Sequence, residues 1–242
     1  MKTYLVTGAS SGIGKGVVEA LLAKGHRCAL VARNEGVLQS IVERYPDRAA
    51  ICAMDLRDVE KISDMFLDME QNGFLPLDGF IHCAGVAPLM RVDENEVSAV
   101  QDAYAVNVFS FLEIMKNIVK ENRYNDGMSV VAMSSVAAHR GTNRQSVYSG
   151  TKAALEASIR CMAKELLPRG IRVNGIVSGA VETEMLQRLK EQSPGFNERI
   201  KTYYPLGSIP ITDICEMVEY LLSDAASRIT GASMQVDAGY LL

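Results

Sequence analysis

Thr7-Gly8-Ala9-Ser10-Ser11-Gly12-Ile13-Gly14 is a glycine-rich turn between two stretches of different period. Before it runs a short apolar segment, residues 3–7, that reads as a strand; after it, residues 13–24 carry helical spacing. Glycines at such a junction let the backbone reverse sharply and come close to a pyrophosphate. The helix beyond offers unpaired N–H groups and the positive end of its dipole. The spacing is GxxxGxG, not the GxGxxG of the commoner fingerprint. Its place, closing the first strand and opening the first helix, predicts a dinucleotide-binding unit.

The rest of the chain repeats the same alternation. Apolar runs at 28–32, 50–54, 79–83, 129–134, 172–177 and 233–236 read as further strands. Residues 34–44, 58–71, 96–122, 147–167 and 211–222 read as the helices between them. The strands are continuous apolar runs, as parallel strands covered on both faces must be. No linker, repeat or composition shift divides the 242 residues, so the pattern predicts one α/β domain with right-handed crossovers.

Composition narrows the class. A net charge of −4 and a pI near 5.5 give no basic footprint for nucleic acid or a membrane surface. No apolar stretch approaches the roughly 20 residues of a membrane-spanning helix, and the N-terminus does not read as a signal peptide. Cys28, Cys52, Cys83, Cys161 and Cys215 form no CxxC pair, which predicts reduced thiols and a cytoplasmic location. His26, His82 and His139 lack metal-ligand spacing, so they read as structural or surface residues and no metal is expected.

Downstream, Ser135 closes a strand, Tyr148 follows thirteen residues later and Lys152 four after that. The i, i+4 spacing sets phenol and ammonium on one helix face. A Tyr-x-x-x-Lys pair alone is common; together with the strand-end serine and the glycine-rich turn it is not. At this point the chain resembles the short-chain dehydrogenases/reductases, nearest in pattern to the 3-oxoacyl-carrier-protein reductases. The likeness takes in the TGxxxGxG turn, Asp55-Leu56, Ala84-Gly85, Asn107, Ser135, Tyr148 and Lys152. It continues through Asn174, Gly179 and Thr183 to the closing Ile229-Thr230-Gly231 and Val236-Asp237-Ala238-Gly239.

The resemblance implies a Rossmann-type, doubly wound sheet of seven parallel strands with helices on both faces. It implies Asn107, Ser135, Tyr148 and Lys152 as the catalytic set. Tyr148 would exchange the proton, with its pKa lowered by Lys152 and the oxidised nicotinamide; Ser135 would hold the substrate oxygen, and Asn107 a relay water. It places the cofactor on Gly8, Ser10, Ser11, Gly12, Ile13, Gly14, Arg33, Asn34, Asp55, Leu56, Cys83, Ala84, Gly85, Tyr148, Lys152, Val181 and Thr183. Ala32 stands where an NAD enzyme carries an acidic residue, and Arg33 follows it. A guanidinium without a carboxylate suits a 2′-phosphate, so NADP(H) is the expected cofactor.

Two departures stand out. The family's Asn-Asn-Ala-Gly is His82-Cys83-Ala84-Gly85, which alters a brace of the central sheet. Its Pro-Gly after the sixth strand is Ser178-Gly179, which should loosen the turn beside the nicotinamide.

Residues 184–208 are the expected substrate lid, mixing Met185, Leu186, Leu189, Phe196, Tyr203 and Tyr204 with Arg188, Lys190, Arg199 and Lys201. They fit an amphiphilic carbonyl or alcohol but select none. A 3-oxoacyl thioester is one reading, with acyl carrier protein as a partner docked on Arg123 and Arg169. A hydroxysteroid, sugar or polyol is another, and an NADP-binding regulatory protein is the non-enzymatic one. Helix 96–122 is apolar nearly all round at Val106–Val119, and helix 147–167 is rich in small residues. Both features, with the resemblance, predict a homotetramer, or a dimer, built on those helices.

Overall fold

Every apolar run named above pairs in parallel with its neighbours. The computed structural model describes residues 1–192 and 195–242. The strands are β1 (Thr3–Thr7), β2 (Arg27–Ala32), β3 (Ala49–Ala53), β4 (Leu77–His82), β5 (Tyr124–Ser135), β6 (Arg172–Ser178) and β7 (Ser233–Val236). Among the described residues they form one sheet in the order β3-β2-β1-β4-β5-β6-β7. The order reverses between β1 and β4, so a crevice opens where Thr7 and His82 end side by side.

The helices are α1 (Gly12–Ala23), α2 (Glu35–Arg44), α3 (Ile62–Gln71), α4 (Val97–Tyr104), α5 (Ser110–Ile118), α6 (Ser146–Leu166), α7 (Glu184–Gln192), α8 (Phe196–Tyr203) and α9 (Ile211–Leu222). Val17, Val18 and Leu21 of α1, Leu38 and Ile41 of α2, and Ile214 and Val218 of α9 cover one face of the sheet. Phe66 of α3, Phe111 and Ile114 of α5, and Leu155 and Ile159 of α6 cover the other. Each fully buried side chain of this size contributes about 1.5–3 kcal/mol, so the two apolar layers hold the sheet rigid beneath the crevice.

Three expected elements differ. The helix expected over 96–122 is two helices joined by a π turn, Ala105–Phe109, and it ends at Ile118. The extra residue of a π turn rotates the helix beyond it, and here the turn carries Asn107 into the interior. β5 begins at Tyr124, five residues early, with a register shift opposite Leu77 and Gly79. β6 runs on through Ser178, which pairs with Ser135 and Val236 and donates its hydroxyl to the Ser134 carbonyl at 3.3 Å. The turn there is therefore not loosened: serine keeps the N–H that proline lacks and lets the strand continue. The lid segment contains α7 and α8. Ser193, Pro194 and the side chain of Phe196, all within it, lie outside the described residues.

Candidate active site

The crevice floor is built from glycine where nothing larger fits. A Cβ on Gly8, whose φ is +70°, would stand 2.9 Å from the Ala84 nitrogen, and one on Gly14 would stand 2.3 Å from the Gly8 carbonyl. β1, β4 and α1 thus approach as closely as backbones can. Ser11 occupies the N-cap of α1 but its side chain caps nothing. Instead the Gly12 N–H donates to a carboxylate oxygen of Glu184 at 3.1 Å. An anionic group already rests on this helix end, which is the property a pyrophosphate requires. Ser10 and Ile13 flank the same turn, and Thr183 meets Gly12 from the lid side while accepting the Leu186 N–H at 3.3 Å.

At the far end of the crevice, buried Ala32 closes β2 and Arg33 extends outward, its side chain 69% exposed. Arg33 Nη1 lies 3.8 Å from Asp55 Oδ2. Arg57 grips the same carboxylate at 2.7 Å and holds it below its ordinary pKa. Asn34 also has a task in the fold. Its Oδ1 accepts the Val37 N–H at 3.2 Å and so caps α2. Leu56 is buried beside them.

The brace altered at β4 is remade with an imidazole. His82 Nδ1 lies 3.0 Å from Thr7 Oγ1, and that hydroxyl accepts the Ala84 N–H at 3.2 Å. The Thr7 hydroxyl thus links the ring to the turn after β4, while His82 Nε2 is buried without a hydrogen-bond partner among the described residues. Burial, with the Lys152 charge nearby, pushes the His82 pKa down to about 3, so the ring is neutral. Phe80 and Phe111 pack against it at 5.8 and 5.3 Å.

Ser135 ends β5, while Tyr148 and Lys152 occupy the first two turns of α6. Lys152 Nζ stands 5.8 Å from the centre of the Tyr148 ring and donates to the Met133 carbonyl at 2.7 Å. Burial brings the ammonium down to about 8. Within the protein itself the phenol is governed by its burial. Burial raises the Tyr148 pKa, and the Ser135 hydroxyl, hydrogen-bonded to it, opposes the rise. Desolvation disfavours the phenolate more than the hydrogen bond favours it.

Asn107 lies behind this group. Its Oδ1 accepts the Val86 N–H at 2.8 Å, and its Nδ2 donates to the Val86 carbonyl and to Thr151 Oγ1, each at 2.9 Å. Both amide hydrogens are engaged inside the protein. Asn107 thus clamps the segment after β4 to α6 with its side chain.

These groups surround a cavity of about 540 Å³. Ser135, Tyr148 and Lys152 line it together with Ile13, Cys83, Gly85, Val181 and Thr183; the post-β5 segment and the lid supply the remainder. Burial pushes the Cys83 thiol up to about 12, so it is a neutral wall. Sequence reasoning missed Glu156. Its buried carboxylate accepts from Ser134 Oγ at 2.5 Å and Ser233 Oγ at 3.1 Å, and lies 3.0 Å from His139 Nε2. The signal was present, since Glu156 lies one turn beyond Lys152 on the same helix face. Among the described residues no group of three or more His, Cys, Asp or Glu is placed to hold a metal ion, and no helix is long and apolar enough to cross a membrane.

A phenol, a hydroxyl and an ammonium gathered beside a pyrophosphate cradle define an oxidoreductase working with a nicotinamide cofactor. A family model described as enoyl-(acyl carrier protein) reductase matches residues 8–241. L-xylulose reductase of Bos taurus is 32% identical over 242 residues, covering 98% of this chain and 95% of its own. A 4-hydroxyisoleucine dehydrogenase complexed with NADH superposes with a TM-score of 0.91 at 26% identity, over 100% of this chain and 99% of its own. A blue fluorescent protein from a metagenomic library, in complex with NADPH, gives 0.91 at 25% identity over 100% and 98%. The chain belongs to the short-chain dehydrogenase/reductase family.

Proposed function

We propose that the chain is an NADP(H)-dependent reductase of small, polar carbonyl compounds that works through Tyr148, Ser135 and Lys152 as a homo-oligomer. The observation that carries it is the cavity. Its 540 Å³ is the volume of one ordinary ligand site, yet both the nicotinamide end and the substrate must enter it. A short ketose or similar carbonyl fits that space better than a steroid or a long acyl chain. The likeness to L-xylulose reductase supports the same reading.

Bound nicotinamide supplies the hydride in reduction and accepts it in oxidation. The Ser135 hydroxyl donates to the carbonyl oxygen, and the Tyr148 phenol passes its proton to that oxygen as negative charge develops. Burial keeps the phenol protonated at neutral pH, so the acid needs no prior event. Oxidation needs the phenolate, so it gains with rising pH while reduction does not. Lys152 steadies the phenolate after transfer and holds the ribose. A complete set of these groups favours turnover over a purely regulatory role.

Two further points bear on partners. Arg123 and Arg169, the arginines available for a carrier protein, serve the fold. Arg123 Nη1 donates to Asn117 Oδ1 at 3.2 Å, and Arg169 donates to the Tyr124 hydroxyl at 3.0 Å and to the Val119 carbonyl. Both arginines are already tethered to neighbouring groups, so nothing singles them out as a docking surface for a carrier protein. For the cofactor, exposed Arg33 without an acidic residue at the end of β2 supports NADP(H).

The test is NADPH oxidation with short ketoses by the unaltered protein and by Tyr148→Phe. The substitution lowers kcat at least about a hundredfold and leaves NADP(H) affinity within a few fold, because only the transferred proton is lost. Lys152→Ala weakens both. Near-normal turnover by Tyr148→Phe would remove the assignment.

A further inference from the structure

We propose that the carbonyl substrate carries a carboxylate or phosphate group, and that Arg140 and Arg144 receive it at the cavity wall. The inference rests on the reductase reading and names the substrate class.

The chain as a whole is acidic, with 29 carboxylate residues against 25 lysines and arginines. The cavity reverses that balance. Lys152, Arg140, Arg144 and Arg199 line it, and no Asp or Glu does so among the described residues. Outside the cavity the exposed arginines divide: Arg160, Arg188 and Arg228 have no carboxylate partner among the described residues, while Arg44 meets Glu19 at 2.9 Å, Arg57 meets Asp55 at 2.7 Å, and Arg91 meets Asp93 at 3.0 Å. Arg140 and Arg144 do not. Arg140 Nη1 reaches the Tyr240 carbonyl and Arg144 Nη2 the Leu89 carbonyl, each at a long 3.4 Å. A guanidinium has five N–H donors in a fork that matches a carboxylate or phosphate, so each keeps donors to spare, and both residues line the cavity.

Solvated, wandering side chains would be the ordinary explanation for two exposed arginines. The geometry speaks against it. The Arg140 guanidinium lies over the Tyr203 and Tyr240 rings, at 5.0 and 4.9 Å from their centres, and Tyr204 stacks on Tyr240 at 4.6 Å. That aromatic seat fixes the charge and joins the post-β5 segment to α8 and the C-terminal tail. Arg144 sits at φ +66°, a left-handed conformation rare for side chains of its kind. The Met90 N–H donates to its carbonyl at 2.9 Å and ties it to the segment after β4. Uncommon backbone conformations persist where surrounding structure enforces them, and they cluster at ligand clamps. One seated guanidinium, Arg140, and a second, Arg144, carried on an enforced backbone, both without carboxylate partners and both in the cavity that holds Tyr148, form a receptor for an anion on the molecule being reduced.

Matched substrates test this. Xylulose is compared with xylulose 5-phosphate, and pentane-2,4-dione with acetoacetate, in kcat/KM with NADPH. The anionic member of at least one pair is favoured tenfold or more. Arg140→Met with Arg144→Met cuts that ratio at least tenfold, mainly through KM, while lysine at both positions retains part of it. Malonate binding to the protein with NADP(H), measured by calorimetry, gives a readout without turnover and is lost in the double methionine variant. If the neutral members react as well and malonate does not bind, the anion site is overturned and the reductase stands. If no member oxidises NADPH yet malonate binds and the arginines govern it, the anion site stands and the reductase reading falls. A double variant that lowers neutral and anionic turnover equally would show the arginines only hold the fold, and would overturn the inference.

Discussion

Buried His82 stands where the family resemblance implies asparagine, and its chemistry makes a measurable demand. The ring stays neutral in the fold down to about pH 3, whereas an unfolded histidine protonates near 6.5. Between those values the unfolded chain binds the extra proton. Stability therefore falls as pH falls through that window, by up to about 1.4 kcal/mol per pH unit. His82→Asn can keep a bond to Thr7 and cannot titrate. Urea unfolding at pH 7, 6, 5 and 4 should show a steeper loss for the unaltered protein than for His82→Asn; equal slopes would mean the ring is charged or solvated. At the same scale, NADPH should exceed NADH by at least about tenfold in kcat/KM, equivalent to about 1.4 kcal/mol. Ala32→Asp with Arg33→Ala should reverse the order, because a carboxylate there repels a 2′-phosphate and accepts from a free ribose hydroxyl. Equal use of both cofactors by the unaltered chain would count against Arg33. Ser135, Tyr148 and Lys152 were legible in the sequence because their spacing maps onto a strand end and one helix face. His82 was visible as a departure, yet the direction of its pKa was not, since burial is a property of the packed sheet. The same holds for Tyr148, where burial raises the pKa against the Ser135 hydrogen bond.

Elements were legible where local pattern and tertiary pairing agree. β1, α1 and β7 meet those conditions. The π turn was hidden, because Ala105-Val106-Asn107-Val108-Phe109 keeps an apolar helical pattern through the point where the helix gains a residue. The early start of β5 was hidden by Asn125-Asp126-Gly127, which bulge out, with Gly127 at φ +77°, between Tyr124 paired with Leu77 and Ser129 paired with Gly79. Between elements, Glu156 of α6 has the largest consequence. One buried carboxylate joins β5 through Ser134, β7 through Ser233 and the segment after β5 through His139. Glu156→Ala leaves buried donors without partners, which costs about 3 kcal/mol or more. For a chain of this length that lowers Tm by about 6 °C or more. Because Ser134 adjoins Ser135, the same change should lower kcat more than it weakens NADP(H) binding. A melting curve within a degree of the original would mean that the carboxylate does not join these elements.

At the scale of the whole molecule, the exposed remainder of the apolar helices points to assembly. Within the apolar run Val106–Val119 the two phenylalanines take opposite places. Phe111 is fully buried, stacked on Phe80 at 5.9 Å, while Phe109 is 48% exposed with Leu112 one turn beyond at 36%. On α6 the exposed Ala153 and Ala157 leave room for a close neighbour. A two-fold axis through these helices would use each apolar position twice, and two such axes give the tetramer. Asn107, Tyr148 and Lys152 sit on the same helices, so assembly and the geometry of the site are linked. Phe109→Glu would place an unpaired charge in that seam, where desolvation without a partner costs several kcal/mol. Light scattering during size exclusion at micromolar concentration should give the unaltered protein as a tetramer or dimer and Phe109→Glu as a folded species of lower order with reduced turnover. Phe111→Glu should unfold the chain instead, since it buries charge in the core and not between subunits. A fully active, monodisperse 26.4 kDa monomer of the unaltered protein would overturn the seam; a dimer would keep the helical seam and remove only the second interface.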